Sequence, residues 1–86
     1  MTTYCVSYDL NKSDKDYDGL INAIQQYNCT KALYSTWFVK SNSSVQTIYD
    51  NLKEYIDSND HLFVIEVNTS NEQGWMPKAV WNWLNN

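Results

Sequence analysis

Two stretches of helical periodicity, each set between segments of strand character, constrain this chain more than anything else in it. Tyr17, Leu20, Ile21, Ile24 and Tyr27 recur at the three- and four-residue spacing that places side chains on one helix face. Val45, Ile48, Tyr49, Leu52, Tyr55 and Ile56 do the same. Before the first stretch, Tyr4, Val6, Tyr8 and Leu10 alternate with Cys5, Ser7 and Asp9. Both sets contain apolar members, which predicts a central strand covered on both faces. Between the helices, Lys31 to Lys40 is rich in aromatic and β-forming residues. It predicts two short strands with a bend near Ser35, although no Asn-Gly or Asp-Gly pair fixes the boundary. After the second helix, Leu62, Phe63, Val64 and Ile65 form the apolar run of a strand over His61 to Val67.

Local punctuation agrees with this division. Asn11 to Asp14 is a polar turn, and Ser13 and Asp16 have capping-box spacing at the start of the first helix. Gly19 weakens that helix by up to ~1 kcal/mol relative to Ala, and Asn28 is a reasonable stop. Ser41 to Ser44 supplies an N-cap for the second helix, and Asp57 to Asp60 breaks it. Asn68 to Gly74 is a polar loop. Pro77 suits the first turn of a short final helix, Pro77 to Leu84.

The order strand, helix, strand, strand, helix, strand, helix, joined by right-handed crossovers, predicts an α+β domain. Its four-stranded antiparallel sheet carries both main helices on one face, the ferredoxin-like βαββαβ arrangement, with the first and third strands central. The 86 residues form one domain, residues 1–86. The uncovered sheet face needs a partner or the C-terminal segment. A chain of this length buries only about 60–65% of its unfolded surface, so a homodimer is an economical way to bury more. Four Trp, seven Tyr and two Phe exceed what so small a core requires and supply an interface or stacking surface.

Charge narrows the partners. Six Lys, no Arg and a formal net charge of −4 disfavour a long nucleic acid, whose phosphates are normally gripped by several Lys or Arg contacts. Cys5 and Cys29 have no CxxC spacing and are expected as reduced thiols. No apolar run follows Met1 as in a signal peptide, and none approaches the ~20 residues of a membrane span. The expected compartment is therefore the cytoplasm.

Tyr4-Cys-Val-Ser-Tyr-Asp9 resembles the first strand of the small CRISPR-associated adaptation proteins, in which a Tyr-Asp pair closes the strand. Tyr34-Ser-Thr-Trp-Phe38 is similar to their Tyr-Ser-Val-Phe hairpin segment. A wider resemblance, covering most of the chain, is to the related SinR-like proteins, through Ser35 to Lys40, Asn59 to Val67 and Gly74-Trp75. The resemblance implies a ferredoxin-like homodimer. It also implies that Asp9 stands where the nuclease members place a metal ligand, so that two copies of Asp9 would share one Mg²⁺ across a dyad. The lack of Arg and the acidic charge depart from the nuclease pattern, and the SinR-like branch implies no activity.

Asp9 is the candidate catalytic and metal-binding residue, because Mg²⁺ often uses only one or two carboxylates and keeps several waters. An Asx-type hydrogen bond starting the following turn is its structural alternative. Asp14, Asp16 and Asp18 lack a calcium-loop pattern and are expected to favour the first helix's dipole. His61, alone beside Asp60, is expected to pack at a strand edge. Ser35 and Thr36 offer hydroxyls and amides to a phosphate, while Tyr8, Tyr34, Trp37 and Trp75 offer rings. These six are the candidate ligand-binding residues. Trp81 and Trp83, two apart on a helix, cannot share a face, so one is expected to cover the sheet and the other to stay free. The function these features support is a non-catalytic homodimeric binding module for a small nucleotide-like ligand or a protein partner. The alternative is a Mg²⁺-dependent nuclease or phosphodiesterase built on paired Asp9.

Overall fold

The computed structural model describes residues 1–11 and 17–86. Its elements run β1 (Thr2–Asp9), α1 (Asp18–Gln25), β2 (Asn28–Leu33), β3 (Thr36–Ser41), α2 (Val45–Lys53), β4 (His61–Glu66) and α3 (Lys78–Leu84). The strands form one sheet in the order β2-β3-β1-β4, with every neighbouring pair antiparallel. β1 and β3, the first and third strands, are central as the sequence pattern requires. The domain has the ferredoxin-like fold with α3 appended.

One sheet face carries the main core. Tyr4, Val6 and Tyr8 of β1 and Trp37 and Val39 of β3 pack against Leu20 and Ile24 of α1 and Ile48 and Leu52 of α2. Each buried aliphatic side chain here contributes roughly 1.5–3 kcal/mol. The polar tips of the buried rings are satisfied, as burial of Tyr and Trp demands. Tyr4 donates its hydroxyl to the Ser43 carbonyl at 2.7 Å, and Trp37 donates its indole N–H to the Tyr8 hydroxyl at 3.1 Å.

The helix boundaries follow their local chemistry. Ser44 caps α2, its hydroxyl accepting the Thr47 N–H at 3.1 Å, a contact of about 1 kcal/mol. α1 begins at Asp18, whose carboxylate sits in the first turn where the dipole favours it. The expected Ser13–Asp16 capping box, and the helix-favouring roles of Asp14 and Asp16, lie outside the described residues. Gly19 has a packing reason: a Cβ there would stand 2.9 Å from the Tyr55 ring. α1 ends before Asn28, because Asn28 already pairs with Lys40 and opens β2 three residues earlier than composition indicated.

The other face is built differently. α3 lays Val80 and Leu84 over Ala32 of β2, with Phe38, Met76, Trp81 and Trp83 packed around them. Lys40 latches the end of this roof. Its ammonium donates to the main-chain oxygens of Trp83 at 2.6 Å and Asn86 at 3.0 Å, and sits 4.3 Å from the Trp83 ring. The two tryptophans therefore do not divide as expected. Both are half-buried against the same cluster, because Trp83 reaches sideways to donate its indole N–H to Asn28. Nor is β1 covered on both faces, since the roof stops over β2 and β3. On the β1–β4 side, Phe63 and Ile65 remain 56% and 45% exposed. No helix among the described residues is long and apolar enough to cross a membrane.

Candidate functional site

Strand alternation decides which side chains meet at the Asp9 end of the sheet. Since Tyr4, Val6 and Tyr8 point into the core, Thr3, Cys5, Ser7 and Asp9 project from the open face. Ser7 stands opposite Thr36 on one side and Phe63 on the other, and Asp9 stands opposite His61. Ser7 and Thr36 form a hydroxyl pair, Oγ to Oγ1 at 3.2 Å. Asp9 and His61 are both exposed. Ser7, Asp9, His61 and Phe63, with Tyr8 and Leu62, line a shallow depression of ≈ 220 Å³.

The β2–β3 turn reaches the same end. Tyr8 donates its backbone N–H to the Ser35 carbonyl at 3.1 Å, which carries the β1–β3 ladder into the turn. Tyr34, at the tip, is 90% exposed. The Lys31 ammonium lies 5.5 Å from the Tyr34 ring centre and 5.9 Å from that of Trp37. An aromatic face beside an ammonium can stack a planar ring and offset a negative charge.

Of the six candidate ligand residues, Tyr34, Ser35 and Thr36 are thus gathered at the end of the sheet that bears Asp9. Tyr8 and Trp37 belong to the core, buried and hydrogen-bonded to each other, so little of either ring is left for a ligand. Their alternation within β1 and β3 carried that signal. Trp75 is 98% exposed but lies elsewhere, with Gln73, Gly74, Met76 and Trp81 around a separate depression. Its segment leaves β4 at the opposite end of β1, where Val67 donates to the Thr3 carbonyl at 2.9 Å.

In sequence Asp60 is only part of a helix break, yet it organises this end of the molecule. It is 7% exposed. Its Oδ1 accepts the Asn11 N–H at 2.8 Å and the Tyr17 hydroxyl at 2.9 Å, while Oδ2 accepts the Asp57 N–H at 2.8 Å. One carboxylate thereby fastens the chain just after Asp9 to the chain just before His61.

The cysteines are free thiols on opposite faces: Cys5 lies opposite Phe38 on the open face, and Cys29 opposite Val39 against the main core. Burial raises both thiol pKa values above the ordinary value, which lowers their reactivity near neutral pH. Among the described residues of a single chain, no group of three or more His, Cys, Asp or Glu could hold a metal ion. Asp9 and His61 are a pair, not a complete ligand set.

No family model matches the chain. Among solved structures it is similar to a hypothetical protein, TT1823, from Thermus thermophilus, with a TM-score of 0.68 and 19% sequence identity over 88% of this chain and 94% of that one. The likeness extends over nearly the whole of both chains and shows the fold.

Proposed function

We propose that this chain is a homodimeric binding module that takes a small nucleotide-like ligand at the Asp9 end of its sheet. The observation that carries the reading is the half-roofed sheet face. Phe63 and Ile65 expose apolar surface beside Cys5 and Ser7 on neighbouring strands. A second copy is the economical cover, because a two-fold contact buries the same patch twice. The Asp9 end of that face holds groups suited to a nucleotide: the Ser7–Thr36 hydroxyls for phosphoryl oxygens and Asp9 for sugar hydroxyls, with the exposed Tyr34 at the nearby β2–β3 turn to stack a base.

A thermal-shift screen of mononucleotides and dinucleotides tests the ligand. A nucleotide at 100 times its Kd adds ~2.7 kcal/mol of stability, and Tyr34→Ala removes most of that gain. Uniformly flat melting curves across the panel refute the ligand reading.

A second reading has one observation in its favour: Asp9 is exposed at the end of a strand, beside hydroxyls and an imidazole. Paired across a dimer, Asp9 carboxylates would serve a Mg²⁺-dependent phosphodiesterase in which the metal activates water and offsets phosphoryl charge. Asp9→Asn then abolishes a Mg²⁺-dependent cleavage activity while the melting temperature is kept. A wild-type protein inert towards oligonucleotides and cyclic dinucleotides across Mg²⁺ and Mn²⁺ concentrations rules it out.

A further inference from the structure

The segment that leaves β4 does more than join it to α3. After Val67, the Asn68 side chain accepts from the Ser70 N–H at 2.9 Å and the Ser70 hydroxyl at 2.6 Å, which starts a turn. The loop then comes close to α3 at Gly74, where a Cβ would stand 3.6 Å from the Trp81 ring. Loop and helix together enclose a depression of ≈ 320 Å³. Its apolar walls are Phe38 of β3, Met76, and Trp81 and Leu84 of α3, all buried or half-buried. A cavity of this size, with aromatic and apolar walls and a few polar groups, has the usual form of a small-molecule site.

The lining also selects the charge of an occupant. Glu72 is the one charged side chain among the described residues that line the depression. It is half-buried, and among the described residues no hydrogen bond or ion pair occupies it. A carboxylate partly removed from water without a counter-charge carries a desolvation cost that a neighbouring cation offsets. The face of a Trp ring attracts the same cation through its quadrupole, and the Met thioether adapts to an apolar body beside it. A phosphate or carboxylate ligand would instead meet Glu72 with nothing to balance the repulsion.

We propose that this depression binds a small organic cation, an ammonium group carried on an apolar or aromatic body. The charge lies against Glu72 and Trp81, and the body against Phe38, Met76 and Leu84. The site is complete within one chain, so it needs neither the dimer nor the nucleotide-like ligand proposed above.

The test is a titration followed by NMR of the backbone amides and indole N–H groups. The probes are phenethylammonium and benzyltrimethylammonium, with phenethyl alcohol and phenylacetate as neutral and anionic counterparts. At least one of the two cations is expected to shift the amides around Glu72 and the Trp81 indole in a saturable way, with both counterparts binding more weakly. Glu72→Gln should weaken cation binding by ~10-fold or more, with amide positions outside the loop unchanged. Trp75→Ala, at a ring in the neighbouring depression, should leave the affinity as it was. No saturable shift from either cation overturns the inference. So does alcohol or phenylacetate binding as tightly as the cations, or cation binding undiminished in Glu72→Gln, because charge then selects nothing. Shifts centred on the Trp75 indole and lost in Trp75→Ala also overturn it, since the cation then sits on the exposed ring.

Discussion

The two halves of the face opposite α1 and α2 are made from the same sheet and finished in opposite ways. Over β2 and β3, α3 seats Val80 and Leu84 against Ala32, and Lys40 latches its far end. Over β1 and β4, Phe63 and Ile65 stay 56% and 45% exposed among the described residues. The roofed half has satisfied its apolar surface internally, so changes there act on folding. The open half keeps its apolar surface available, so in the proposed dimer changes there act on association.

The largest effect that would break this contrast is expected on the roofed side. Leu84→Ala empties a buried position and should cost ~2–4 kcal/mol in urea unfolding; a loss below about 1 kcal/mol would mean that α3 is only loosely seated. Asp60→Ala comes next. It removes the acceptor shared by Asn11, Tyr17 and Asp57 and should cost ~2–3 kcal/mol, while loosening the end of the sheet that carries Asp9. Proteolysis confined to the segment after β1 would be its signature.

Phe63→Lys sharpens the comparison from the open side. Monomer stability should change by less than about 1 kcal/mol, since the side chain is more than half exposed, but sedimentation should shift from dimer to monomer. In that variant Cys5, on the open face, should react faster with a thiol reagent, while the rate at Cys29 stays put. Equal acceleration of both thiols would point to general loosening instead. The smallest effect is at Gly19. Replacing glycine in a helix usually gains up to ~1 kcal/mol, but Gly19→Ala should show almost none of that gain because its Cβ meets the Tyr55 ring. A full gain would show that Tyr55 moves aside at no cost.

Most of the architecture was legible because periodicity reports burial directly. Leu20, Ile24, Ile48 and Leu52, spaced at helical intervals, are the fully buried helix residues, and Ser44 caps α2 as its loop predicted. Tyr34 to Thr36 marked the β2–β3 turn without a glycine. What the pattern could not resolve was which face of β1 stays open, because Cys5 and Ser7 are small enough to fit either environment. The same limit applies to the rings of the candidate site. Tyr8 and Trp37 are chemically suited to stacking, and only their strand parity sends them inward. Asp60 was hidden by company: in Asp57-Ser-Asn-Asp60 an acid that accepts three hydrogen bonds reads like any polar turn residue.

The placement of the four tryptophans gives the molecule an optical map of itself. Trp37 lies in the core against the Tyr8 hydroxyl, Trp81 and Trp83 are half-shielded within the roof, and Trp75 is bathed in solvent. Emission from Trp75 should be red and readily quenched by iodide, that from Trp37 blue and protected, and that from Trp83 sensitive to the Lys40 ammonium at 4.3 Å. A single quenching titration thus reports separately on core, roof and exposed segment, with no label added.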